Sequence, residues 1–298
     1  MKRQLLFIGV MIASLFMCIE SLCNAHEAIQ SIGPKLELSA NKKTFVLLEP
    51  IALTFKITSV PSQPLAAQSS ENPRYGRLYA VASSERGVEE IPGFSLDPNS
   101  SILIGGVEAG RTQELQLMFV PSERKRLMLV GKYQIRAKLE IKPNIIAESA
   151  PITIEIREPG GLDLEAGRYI RSKGLPAYFF EGLLTMPEGR EQGAVWAEAI
   201  NNLEEFVSRY GETSYGDYAT LTLGGFYFHQ MEYWSAISTL ERLADKDEFP
   251  RLDSVLTTLA ASYVRLGNTA KAKEELEKLK FKRPNSELIK VTEYLIRQ

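Results

Sequence analysis

Two stretches in the second half of the chain decide its fold: LGGFY at residues 223–227 and LAASY at residues 259–263. Each is followed by a second matched stretch, AISTLERL at 236–243 and AKEELEKL at 272–279, so that equivalent residues stand 36 positions apart. This distance is typical of a helix–turn–helix repeat. The small residue in each first stretch lets the two helices of a hairpin cross closely. The pattern therefore predicts two helical hairpins that are built alike.

These stretches resemble the tetratricopeptide repeat (TPR) family. Leu-Gly-x-x-Tyr at residues 223–227 matches the first helix of the family's repeat, the second stretches carry its Ala-x-x-x-Leu-x-x-Leu, and Gly267 lies in the turn. An amphipathic stretch at residues 196–210 adds a third, degenerate unit. A last helix over residues 287–297 is expected to cap the array.

The resemblance implies that the repeats bind another polypeptide through the concave face that their first helices line. Carried over by register, the family's groove positions fall on both hairpins: Tyr218, Leu221, Phe228, His229, Thr257 and Arg265. Such a groove would suit an extended or helical peptide with apolar and acidic side chains. The alternative for Tyr218 and Phe228 is packing against neighbouring repeats or the first domain. Trp234 is assigned to the core or to the convex surface.

The first half of the chain has a different period. Apolar and polar residues alternate, as in Ile51–Ile57 and Ile152–Ile156, which is typical of half-buried strands. Six to eight such strands separated by turn residues predict an antiparallel sandwich. Gly131-Lys132-Tyr133 resembles the start of a late strand in an immunoglobulin-like sandwich, where a tyrosine hydroxyl tethers the corner.

The predicted fold class is therefore two-domain: an all-β immunoglobulin-like sandwich followed by an all-α TPR-type helical repeat array. The sandwich is placed at residues 33–157 and the repeats with their capping helix at residues 162–298. Pro159-Gly160-Gly161 ends the strand pattern, so residues 158–161 form the predicted linker.

The first residues predict export. Lys2 and Arg3 precede the apolar run Leu5–Ile19, and the small-residue site Cys23-Asn24-Ala25 follows. This is the pattern of a secretory signal peptide over residues 1–25, and it predicts a periplasmic or extracellular protein. The alternatives are a membrane anchor, for which the run is short, and a lipid anchor through Cys18. Both cysteines lie in this segment, so the mature chain would contain neither a disulfide nor a thiol nucleophile.

The composition of the chain argues against several classes of function. The net charge of −2 gives no electrostatic footprint for nucleic acid. The chain has two histidines, His26 and His229, and no nucleophile motif or metal-ligand spacing. We therefore predict no catalytic residue, cofactor or metal, and an exported non-catalytic scaffold that binds a protein or peptide of the cell envelope.

Two other hypotheses stay open. The sandwich could bind glycan or cell-wall polymer with the repeats as a spacer, using the aromatic side chains Tyr75, Tyr79 and Phe94. The chain could also be an enzyme whose carboxylate dyad comes from distant segments.

Overall fold

The computed structural model describes residues 34–58, 77–95, 110, 112–119, 129–141, 144–175 and 192–297. The described residues of the N-terminal half form strands. These are β1 Lys35–Ala40, β2 Thr44–Val46, β3 Ile51–Thr58, β4 Arg77–Ser84, β5 Gly87–Ser95, β6 Thr112–Phe119, β7 Gly131–Ile141, β8 Asn144–Glu148 and β9 Ile152–Arg157.

The strands form two sheets. One has the order β1-β3-β6 and is antiparallel throughout. The other has the order β2-β9-β7-β4-β5, with β2 parallel to β9 and with β8 also paired to β7. The inward-facing residues of both sheets make one apolar core that includes Phe45, Phe55, Leu78, Ile135 and Ile154. Alternation along each strand produces this core, because successive side chains point to opposite faces of a sheet.

Tyr133 makes the local hydroxyl-to-backbone hydrogen bond that the sequence predicts for it. Tyr133, near the start of β7, donates a hydrogen bond from its hydroxyl to the carbonyl oxygen of Leu129 at 2.5 Å. Burial and the loss of solvent raise the pKa of this phenol.

The described residues of the C-terminal half form seven helices. These are α1 Gly161–Lys173, α2 Gln192–Tyr210, α3 Gly216–His229, α4 Tyr233–Leu240, α5 Leu252–Arg265, α6 Thr269–Lys282 and α7 Leu288–Arg297. A single 3₁₀ turn, Glu241–Leu243, follows α4. Helices α3 and α4 form one hairpin and α5 and α6 another, while α7 packs on α5 and α6.

The two hairpins repeat their turns as well as their spacing. Met231 and Gly267, at equivalent positions, both adopt positive φ, at 64° and 75°. In the first turn the amide of Glu232 donates to Tyr227 O at 2.9 Å, and in the second the amide of Asn268 donates to Tyr263 O at 2.8 Å. The left-handed residue reverses the chain in the same way each time.

Both hairpins also anchor the matching tyrosine to the helix layer before it. The hydroxyl of Tyr227 donates to Glu204 of α2, and that of Tyr263 donates to Glu241 at 2.9 Å. Gly224 lies where α3 crosses α4, since a Cβ added there would stand 2.4 Å from Cγ of Leu240. The small residue at this crossing is therefore required by packing, as the sequence predicts.

The predicted fold class is nevertheless wrong. A TPR-type array would leave open the concave face that its first helices line. Here Val46, Leu48 and Met118 of the strand half pack against the core of the helical half. Helix α3 is buried from Tyr218 to Phe226, and α7 lies over α5.

The structure supports a coarser layout, with strands in the N-terminal half and helices in the C-terminal half. Strand β9 ends at Arg157 and α1 begins at Gly161. The division into domains at residues 33–157, 158–161 and 162–298 stays a prediction.

Candidate functional site

Two of the predicted groove residues are buried. Tyr218 is 4% exposed and Leu221 is 2% exposed. The hydroxyl of Tyr218 donates to Pro50 O at 3.5 Å, and its ring packs edge-on against Phe249 at 5.2 Å between centroids. Burial raises the pKa of this phenol well above its ordinary value. Tyr218 therefore packs against the strand half, which is the alternative that the sequence left open.

A third predicted residue, Thr257, is covered by the last helix. Its hydroxyl lies 3.1 Å from that of Thr292 in α7. Thr292 donates its own proton to Leu288 O at 2.7 Å, so Thr257 is the donor of the pair. Helix α7 thus occupies the face on which a ligand of the second hairpin was expected.

The other predicted residues stay at the surface. Phe228 is half-buried, and His229 and Arg265 are exposed. The ring of Phe228 lies 5.8 Å from the imidazole of His229, in an edge-on arrangement, and 5.7 Å from the ring of Tyr233. These separations are those of aromatic pairs in contact.

Two of the most exposed apolar side chains in the described residues are sequence neighbours of this cluster. Met231 in the hairpin turn is 73% exposed, and Trp234 in the first turn of α4 is 68% exposed. We call the five residues Phe228, His229, Met231, Tyr233 and Trp234 the aromatic patch. It lies at the end of the first hairpin, where α3 stops and α4 begins.

The second hairpin shows that a hairpin of this kind can form without these side chains. Thirty-six residues further on, in the order of the patch, the same positions hold Val264, Arg265, Gly267, Thr269 and Ala270. The core positions of the two hairpins match, whereas these surface positions differ. Met231 also holds a left-handed conformation that costs a residue other than glycine about 1–2 kcal/mol. The patch is therefore an addition to the repeat.

Sequence reasoning named Phe228 and His229 as groove residues but did not include Met231, Tyr233 or Trp234 among the candidates. Trp234 was assigned to the core or to the convex surface, and the structure places it at the surface. A comparison of the two repeats at their non-core positions would have identified the difference, because only the first carries aromatic side chains there.

Of the three aromatic side chains that the glycan hypothesis uses, the structure describes that of Tyr79 alone. Tyr79 is buried, with the guanidinium of Arg77 4.2 Å from its ring centroid. Tyr75 and the side chain of Phe94 lie outside the described residues, as do residues 1–25 with the predicted signal peptide and Cys18.

The described residues contain no group of three or more metal-ligating side chains. In this same part of the chain, no helix combines the length and apolarity that a membrane crossing requires.

Comparison with known proteins gives weak likenesses. No family model matches the chain, and no curated protein matches it. Among solved structures, a Niemann-Pick type C2 protein from the Japanese carpenter ant is 12% identical, with 42% of this chain and 93% of that one covered and a TM-score of 0.29.

A sporulation control protein from Bacillus subtilis is 12% identical, covers 47% of this chain and 55% of its own, and has a TM-score of 0.27. A polysaccharide lyase is 12% identical over 87% of this chain and 46% of its own, with a TM-score of 0.21. None of these likenesses is a basis for assigning a family or an activity, and none shows a TPR array.

Proposed function

We propose that this chain is an exported scaffold, without catalysis of its own, that binds a segment of a partner protein through the aromatic patch. The observation that carries the proposal is the exposure of Met231 and Trp234 beside the ring cluster of Phe228 and Tyr233. Exposed apolar patches rimmed by polar residues often mark sites of protein–protein interaction.

The composition of the patch favours a protein partner. Tryptophan, tyrosine and methionine are enriched at protein–protein interfaces, and a few such residues carry most of the binding energy. Covering Trp234 alone would remove on the order of 100–150 Å² of apolar surface, which corresponds to about 3 kcal/mol. His229 at the edge of the patch offers a polar contact, so an apolar segment with a polar flank fits best.

Export is the second part of the proposal. It rests on Lys2, Arg3, the apolar run Leu5–Ile19 and the small residues before position 26. Mass spectrometry of the chain purified from its host would test it. A chain that begins at His26 supports export with cleavage, and an intact N-terminus contradicts it. A mass that includes lipid on Cys18 would support export with an anchor.

Photocrosslinking in the native host tests the patch. A benzophenone amino acid is placed at position 234 in one variant and at the equivalent position 270 in another. We expect an adduct with a discrete partner from position 234 and none from position 270. The second hairpin provides this control, since both positions lie in the first turn of matching helices.

The adduct must also depend on the neighbouring side chains. With the crosslinker at position 234, Phe228→Ala and Tyr233→Thr should each reduce its yield, because the partner loses contact area. Phe281→Ala, which removes an exposed aromatic side chain elsewhere, should not. Equal adducts from positions 234 and 270, or no dependence on Phe228, would overturn the proposal.

A further inference from the structure

A polar groove separates the three-stranded sheet from the loops of the helical half. It consists of three cavities of about 430, 590 and 330 Å³. The first two share Asn41, Glu248 and Pro250, and the last two share Glu114 and Asn285. The cavities therefore adjoin, and we call their sum the interface groove.

The floor of the groove is the outer face of β3 and β6. Thr54 lies opposite Gln116, and Lys56 lies opposite Glu114, in the antiparallel register of these strands. These residues alternate with the core-facing ones, so their side chains point away from the sandwich core. The helical wall is formed by residues 248–253 and 282–287.

Most cations along the groove are already engaged. Lys246 pairs with Asp217 at 2.7 Å, and Lys282 pairs with Asp247 at 2.7 Å. Lys42 pairs with the buried carboxylate of Glu49. Arg283 joins the loops of the helical half, because it donates to the carbonyl oxygens of Asp247 and Phe249 at 2.6 and 3.0 Å.

Three exposed carboxylates along the groove have no such partner, and a fourth, on Asp253, accepts hydrogen bonds from Ser254 and Ser286. Glu114, Glu248 and Glu287 are exposed, and no described residue forms an ion pair with them. Lys56 stands across from Glu114, while Glu37 on its other side is already paired with Lys35. The lining of the groove carries seven carboxylates against five cationic side chains, so its net charge is negative.

We propose that the interface groove binds an extended, basic segment of another polypeptide. The shape is elongated, and its floor offers amide and hydroxyl groups, at Asn41, Thr54 and Gln116, that can bond to peptide backbone. Lysine or arginine side chains of the segment would meet the unpartnered carboxylates. This site is separate from the aromatic patch and does not depend on its function.

The probe is a short fluorescent peptide of alternating lysine and serine, and its binding to the full chain is followed by fluorescence anisotropy. The test variant combines Glu114→Gln, Glu248→Gln and Glu287→Gln. The control variant combines Glu85→Gln, Glu158→Gln and Glu165→Gln, which removes the same charge from exposed sites outside the groove. Thermal melts establish that both variants fold.

We expect the groove variant to bind the peptide roughly tenfold more weakly, because each exposed ion pair contributes about a two- to threefold change in affinity. The control variant should bind within about twofold of the parent. Thr54→Trp, which fills the floor of the groove without changing its charge, should also weaken binding.

Several results would overturn the proposal. Equal losses in the two triple variants would show attraction to overall charge rather than to the groove. No binding of the peptide by the parent chain, or binding of an uncharged oligosaccharide in its place, would exclude a basic segment as the ligand. Trp234→Ala should leave peptide binding unchanged, so a failure here is distinguishable from a failure of the proposed scaffold function.

Discussion

Replacement of Gly224 by alanine is the sharpest test of how the first hairpin is packed. A Cβ at this position would stand 2.4, 2.5 and 3.0 Å from Cγ, Cδ2 and Cδ1 of Leu240. Carbon atoms in contact prefer about 3.5–4.0 Å, so the leucine would have to move by roughly 1 Å. Leu240 is fully buried, so this movement would displace other core side chains.

Two opposing terms set the magnitude. Alanine is favoured over glycine within a helix by about 0.5–1 kcal/mol. Overpacking a well-filled core typically costs about 1–3 kcal/mol. We expect the clash to exceed the helix term, so Gly224→Ala should lower the free energy of unfolding by about 1–2 kcal/mol.

The sign of this effect should reverse when the leucine is shortened. Leu240→Ala alone should cost about 2–5 kcal/mol, since it leaves a cavity at the crossing of α3 and α4. It also removes all three atoms that the new methyl group would meet. In this background Gly224→Ala should therefore stabilise the protein by about 0.5–1 kcal/mol.

Urea denaturation of the four proteins measures this coupling as a double-mutant cycle. We expect a coupling energy of about 2 kcal/mol between the two positions. If Gly224→Ala destabilises the protein equally with leucine and with alanine at position 240, helices α3 and α4 do not cross as described.

Three further predictions concern single side chains. Met231→Gly should raise the free energy of unfolding by about 0.5 kcal/mol in urea titrations, because relief of the left-handed strain exceeds the entropy cost of glycine. A lower free energy of unfolding would contradict the positive φ of Met231 in this turn. The pKa of Tyr263 is raised from 10.0 to about 12, first by burial and then by its bond to Glu241, so the neutral phenol stabilises the fold below about pH 10 and this stability is lost between about pH 10 and 12. Tyr263→Phe should therefore cost about 1 kcal/mol near pH 8 and less near pH 11, whereas a constant difference would argue against that bond. Tyr215→Phe should lower the free energy of unfolding by about 1–2 kcal/mol in the same assay, since the carbonyl oxygen of Leu47, 2.7 Å from the phenol, loses this buried donor. An unchanged free energy of unfolding would mean that this bond does not help to hold the helical half to the strand half.

Local sequence patterns were sufficient to predict strands in the first half of the chain, helices in the second half, and the close helix crossing at Gly224. The alternation of Ile51–Ile57 reports which side chains face the core, because that property depends on neighbours within the strand. The 36-residue spacing likewise reports equivalent contacts within each hairpin. Both signals are local, and both are found in the structure.

The accessibility of the groove residues could not be predicted in this way. Tyr218 and Leu221 are buried where the strand half packs against α3, and the hydrogen bond from Tyr218 to Pro50 spans 168 residues. Thr257 is covered by Thr292, from a helix that the sequence places only at the end of the array. Periodicity shows which face of a helix is apolar, but it does not show which other segment of the chain will cover that face.

The comparison of the two hairpins is also the basis for proposing the aromatic patch as the functional site. Residues that repeat between the hairpins, such as the tyrosines 227 and 263, are explained by packing, because each bonds to a glutamate of the preceding helical layer. Residues that differ at matched, exposed positions need another explanation. Trp234 against Ala270 is the largest such difference in size, and Met231 against Gly267 adds a conformational cost. A hairpin that bears both an exposed tryptophan and a strained methionine, beside one that folds without either, supports the proposal that a partner contacts them.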